Sequence, residues 1–100
     1  MLIVTGVIEV NPEHVGAAQA AALKMMEETR KEEGCLLYEF SQQVEAPHRF
    51  RVYEEWTDAA ALKAHAATAH MAAFREALGE IGLISREVYT IEAGEKTRLG

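Results

Sequence analysis

One hundred residues, 49% of them hydrophobic, suffice for one domain with one modest core and leave no room for a second. Ten basic residues against sixteen acidic ones give a formal charge of −6, the wrong sign for binding a phosphate backbone, so nucleic acid is not an expected partner. The single cysteine, Cys35, allows no internal disulfide and none of the cysteine-rich zinc patterns, and no apolar run approaches the length of a membrane span.

Met1 leads directly into Leu2, Ile3 and Val4 with no basic segment ahead of them, and a soluble, cytoplasmic protein is expected. Leu2 to Val10 is rich in β-branched residues and reads as a strand ending at Asn11-Pro12, where Asn caps a helix and Pro suits its first position. From Pro12 to Glu33 strong helix formers dominate, and Val15, Ala18, Ala22, Met25 and Thr29 recur at helical spacing as one inner stripe. Gly34 is the expected helix stop. Cys35 to Gln43 and Arg49 to Trp56 read as two strands of a hairpin joined by Glu45-Ala46-Pro47-His48, whose proline cannot continue a ladder. Thr57-Asp58 opens a second helix over Ala59 to about Ile81, with Thr68 as a candidate break and Gly79 and Gly82 near its close. Leu83 to Ile91 alternates as a last strand. The core therefore covers about residues 2–91 of a single domain, and residues 92–100 form a polar tail free to move.

The order β-α-β-β-α-β predicts an α+β, ferredoxin-like sandwich, a four-stranded antiparallel sheet with helices on one face. One helical layer covers one face of a sheet. Yet the first strand carries Leu2, Val4 and Ile8 on one side and Ile3 and Val7 on the other, and the second carries Leu36, Tyr38 and Phe40 against Cys35 and Leu37. Two apolar faces predict a second copy packed sheet to sheet, a homodimer.

Side chains able to do chemistry concentrate between Tyr38 and Phe74. Glu54 and Trp56, two apart on a strand, share a face with Phe50 and Val52, and a carboxylate among apolar groups is costly unless paired. Arg49, Arg51 and Arg86 are its candidate partners on neighbouring strands. Trp56 and Phe74 read first as core aromatics, Cys35 as a small buried hydrophobe, and His14 and His48 as surface residues without partners. His65 and His70 are five apart, about 140° around an unbroken helix, so they converge on one metal only if the helix breaks between them, and no metal site is expected. A phosphate-cradling glycine loop, a dinucleotide fingerprint and a nucleophile setting for serine or cysteine are all missing.

Glu33-Gly34-Cys35-Leu36-Leu37-Tyr38-Glu39-Phe40, Phe50-Arg51-Val52-Tyr53-Glu54-Glu55-Trp56-Thr57-Asp58 and Leu62-Lys63-Ala64-His65, closing with His70 and Phe74, resemble the signature of the antibiotic biosynthesis monooxygenase family. The resemblance implies a dimeric α/β barrel of ferredoxin-like subunits, each with a pocket between sheet and helices. It implies, for better-known members, oxygenation of quinols or polycyclic phenols with no cofactor, whether flavin, metal or haem. On that resemblance Trp56, Tyr38, Phe40 and Phe74 form the substrate-binding walls, His65 or Glu54 takes the phenolic proton, and Tyr53 or His70 steadies the oxyanion. Haem-degrading relatives are a poorer match: the first strand lacks their asparagine, Arg75 stands where their axial histidine falls, and His65 where their tryptophan falls. The expected function is thus cofactor-independent oxidation of a small aromatic quinol or phenol by dioxygen. Its rivals are a non-catalytic, aromatic-ligand-binding dimer and a small-molecule isomerase.

Overall fold

The computed structural model describes residues 1–100, and its elements follow the expected order with a few displaced boundaries. Strand β1 spans Leu2–Val10, and the Asn11 side chain accepts a bond from Glu13 N to start a single 3-10 turn over Pro12–His14. Helix α1 runs Val15–Thr29, shorter than the sequence suggests, because the chain turns at Arg30. Its inner stripe is as expected: Ala18, Ala22, Met25 and Thr29 are buried and Val15 is half-buried. Gly34 is therefore not the helix stop but the last residue of the turn into β2. It has φ +85°, and a Cβ there would fall 2.6 Å from Ala61 Cβ. Glycine at that point lets the turn sit against the second helix.

Strand β2, Cys35–Gln43, pairs with β3, Ala46–Trp56, so the hairpin turn is tighter than the four residues expected. Pro47 falls inside β3, but where the register shifts between Gln42 and Gln43, so no regular ladder bond is lost. The expected long second helix is two helices. Asp58 caps α2, Ala59–Ala66, through its bond from Ala61 N, and Thr68 caps α3, Ala69–Ile81, through Met71 N. Gly82, at φ +96°, closes α3 before β4, Leu83–Glu92.

The antiparallel sheet has the order β2-β3-β1-β4. Cross-strand partners point to the same face, so the inner face is built of rows: Tyr38–Glu54–Val4–Thr90, then Phe40–Val52–Gly6–Val88, then Gln42–Phe50–Ile8–Arg86. Helix α1 packs on α3 and β2, and the core lies beneath them. Strand β4 is left almost uncovered, only Val88 being half-buried. Leu36 departs from the expected face: an irregularity between Cys35 and Leu37 turns it out of the ladder, and it is 54% exposed. Cys35 is half-buried rather than sealed. The tail is tied down for its first residues by Met1 N to Ala93 O at 2.9 Å and by Lys96 Nζ to Glu55 Oε1 at 2.6 Å. No helix is long and apolar enough to cross a membrane.

Candidate active site

The inner face of the sheet and the α2–α3 pair border a cavity of about 510 Å³ that opens on its β4 side. Val4, Ile8, Val52 and Val88 form its floor, and Leu62, Met71, Phe74 and Leu78 its helical wall. Tyr38, Glu54 and His65 also line it, with Arg75, Arg86 and Thr90 towards the exposed edge. The period-two row on the inner face explains why Tyr38 and Glu54 are neighbours there.

Glu54 is 6% exposed and has no salt bridge; its Oε1 instead accepts a hydrogen bond from Trp56 Nε1 at 2.8 Å. Of the arginines expected from sequence to pair with Glu54, Arg49 bonds Glu9 and Arg51 donates to Thr5, while Arg86 makes no salt bridge and acts on Glu54 through its charge alone. Burial pushes the Glu54 carboxyl up to about 7, against the opposing pull of the Trp56 bond and the Arg86 charge, with Glu32 adding to the rise. Burial likewise pushes the Tyr38 phenol well above its ordinary range, helped by the charges of Glu54 and Glu32. Tyr38 is therefore a neutral donor and not a base.

His65 is buried, its ring 4.8 Å from the Trp56 indole and 5.6 Å from the Tyr38 ring. Its Nδ1 lies 2.7 Å from Glu32 Oε2, and His70 Nε2 lies 2.7 Å from that same oxygen. The two histidines thus converge, against the expectation for one continuous helix, because the Thr68 cap restarts the chain between them. Nε2 of His65 makes no hydrogen bond and is not among the sealed polar atoms, and His65 is one of the residues that line the cavity.

The other expected site residues are placed differently. Tyr53 is on the opposite face of the sheet, donating from its hydroxyl to Glu55 Oε2 at 2.7 Å, and cannot steady an oxyanion in the cavity. Trp56 is 0% exposed and stands behind the wall, where it holds Glu54 and flanks His65. Phe40 packs on Tyr38 and Phe74 without lining the cavity, and His70 faces Glu32 rather than the cavity. His48, expected to lack a partner, lies 3.1 Å from Glu9 Oε2, while His14 is exposed. Glu32 carries no signal in the sequence, since it lies in the turn after α1 where no periodicity ties it to residues more than thirty positions on.

Comparison with known proteins agrees with this architecture. The antibiotic biosynthesis monooxygenase profile matches residues 1–77. The chain belongs to that family. It is 32% identical over 74 residues to "Putative monooxygenase YcnE" of Bacillus subtilis, an alignment covering 74% of this chain and 78% of the relative. Among solved structures, a "putative antibiotic biosynthesis monooxygenase" from Deinococcus radiodurans superposes with a TM-score of 0.94 at 27% identity, covering 100% of this chain and 99% of the other. A conserved protein from Methanosarcina mazei Go1 gives a TM-score of 0.86 at 29% identity, with 93% and 92% coverage. Monooxygenase-like function and the ferredoxin-like α+β fold thus hold for this family member. The match ends within α3, so Leu78 and the β4 side of the cavity lie outside it.

Proposed function

We propose that the cavity oxidises a small aromatic quinol or phenol with dioxygen, Glu54 taking the phenolic proton and the substrate itself supplying the electrons. The observation that carries this reading is the Glu54 carboxyl, balanced near neutrality on the wall of an apolar cavity. A general base works best when its pKa lies near the working pH. The volume, about 510 Å³, is within the range of roughly 300–1,000 Å³ typical of small-molecule sites.

Removal of the phenolic proton makes the ring electron-rich enough to pass an electron to dioxygen. Recombination places one oxygen atom on carbon, and the other leaves as water with two electrons and two protons from the quinol, so no external reductant enters. Apolar walls on the sheet and helix sides limit the water that reaches the intermediates. With Nδ1–H donating to Glu32, Nε2 of His65 is an acceptor for a second substrate hydroxyl. Tyr38, a neutral phenol among the lining residues, is the candidate donor to oxygen that gains charge. Trp56 acts through Glu54 and His65 and is a positioning residue.

A homodimer is part of the same proposal. Ile3, Val7 and Leu37 are half-buried on the outer sheet face, and Tyr89 and Ile91 are exposed in register with Thr5 and Ile3. That apolar stripe supports sheet-to-sheet packing of two copies, and light scattering at micromolar concentration should give twice the chain mass.

Oxygen uptake by the purified protein, measured against hydroquinones and naphthalene diols with chelator and a no-enzyme control, tests the activity. Uptake that tracks protein and falls in Glu54→Gln supports the proposal. No uptake across the panel, with ligand binding intact, replaces it with a binding role.

A further inference from the structure

Glu32, His65 and His70 come from three places in the chain: the turn after α1, the last turn of α2 and the first turn of α3. Their ligating atoms all lie within 4.8 Å of one another, with both imidazole contacts on Glu32 Oε2 at 2.7 Å. Glu32 Oε1 makes no hydrogen bond and is not sealed from solvent.

We propose that these three residues bind one divalent first-row transition ion, of the zinc or cobalt kind, behind the cavity wall. Two imidazole nitrogens and one carboxylate oxygen are the donor set that suits such ions, whereas magnesium and calcium prefer oxygen alone. Bonds of about 2.0–2.2 Å at tetrahedral angles set ligand atoms roughly 3.3 Å apart. The ion therefore enters when each 2.7 Å contact opens by about half an ångström and the two imidazole nitrogens, within 4.8 Å of each other, settle at a similar spacing.

The side chains are graded for that movement. His65 is 4% exposed and held between Trp56 and Tyr38, while Glu32 and His70, at 14% and 20% exposed, are less confined. The fourth position, on the side where Glu32 and His70 reach solvent, is left to water. Neither Glu32 nor His70 lines the cavity, so the ion meets it only through His65.

That position has a chemical consequence, which rests on the function proposed above. Without the ion, the Glu32 carboxylate beside Nδ1 favours the neutral-ring tautomer with its proton on Nδ1, which leaves Nε2 as the acceptor. Once Nδ1 gives its lone pair to a metal, the proton must reside on Nε2, and His65 becomes a donor towards the cavity. The ion thereby changes which substrate oxygen His65 can hold, without taking part in electron transfer.

The test is a titration of the untagged, full-length protein, stripped with chelator and dialysed, using Co(II) followed by visible absorption and Zn(II) by calorimetry. No substrate is present, so the result is independent of any oxygenase activity. We expect one ion per chain, and at least a tenfold weaker affinity in both Glu32→Gln and His70→Ala. In wild-type protein, Co(II) should selectively broaden the ring signals of His65 and His70 in proton NMR and spare those of His14 and His48, a readout that survives poor folding of either variant. Absence of saturable one-to-one binding, or broadening confined to His14 and His48, overturns the proposal and leaves the trio as a carboxylate shared by two imidazoles.

Discussion

Trp56 Nε1 donates to Glu54 Oε1 at 2.8 Å along a single strand, and that bond is the largest influence opposing the burial of the carboxyl. Arg86 acts in the same direction but ranks below it. Trp56→Phe keeps an aromatic ring and removes the donor, so the Glu54 pKa should climb further. A hydrogen bond to a charged group is worth about 1.5–3 kcal/mol, or roughly one to two pKa units. The acidic limb of the kcat/KM profile is expected to move up by about that much in Trp56→Phe, and by less in Arg86→Met, whose side chain is solvent-exposed. A larger shift in Arg86→Met would reverse the order of the two influences.

Glu54 also carries a stability signature. Its folded pKa of about 7 exceeds the ordinary value of 4.5, so the folded state holds a proton that the unfolded state has released. The associated stability is fully present below about pH 4.5 and is lost as pH rises through 7. The span corresponds to roughly 3 kcal/mol, an order-of-magnitude figure. Glu54→Gln should therefore flatten denaturant midpoints between pH 5 and 8 while lowering turnover by about 10²–10⁴-fold, the usual contribution of a general base. A slope unchanged by the substitution would assign the titration to another group.

The two-residue period was enough to read Glu54, Trp56, Val52 and Phe50 onto one face, because a strand fixes direction locally. It failed at Leu36, since a bulge between Cys35 and Leu37 resets the alternation without any glycine or proline to announce it. Tyr53 was within a matching motif yet points away from Glu54, a reminder that motif membership does not override strand parity. The 100° step of a helix separates His65 from His70, and only the Thr68 cap, a break legible as a candidate but not as a change of direction, brings them together. Glu32 had no signal at all, because turn residues carry no period. Strand β4 was legible as a strand, whereas its lack of a cover depends on where α3 lands.

Cys35 offers a probe of the same region. Burial raises its thiol pKa first, the charges of Glu32 and Glu54 raise it further, and Arg30 only partly opposes them. Since the thiolate is the reactive form, alkylation at pH 7.5 should run slower than for a free thiol. Glu32→Gln removes one of the two charges and should quicken the reaction modestly, because the larger cause, burial, remains. A rate equal to that of a free thiol would show that the β2 end near Trp56 opens far more than its half-buried state suggests.

Glycine substitutions separate the turn from the helices. Gly34→Ala forces a Cβ to 2.6 Å from Ala61 Cβ and 2.9 Å from Thr57 Oγ1 at φ +85°, a conformation strained for any L side chain. Relief requires α2 to move away from the turn, which also carries Glu32, so the His65–Glu32 contact loosens along with the fold. A loss of about 1–3 kcal/mol in denaturant unfolding is expected. Gly16→Ala and Gly79→Ala meet nothing within 4 Å and lie within helices, where alanine is favoured by about 0.5–1 kcal/mol. These two should raise the midpoint while the first lowers it. If Gly34→Ala were neutral, α2 would have to yield freely, and the fixed placement of His65 against Glu32, on which both its acceptor role and the ion site depend, would not hold.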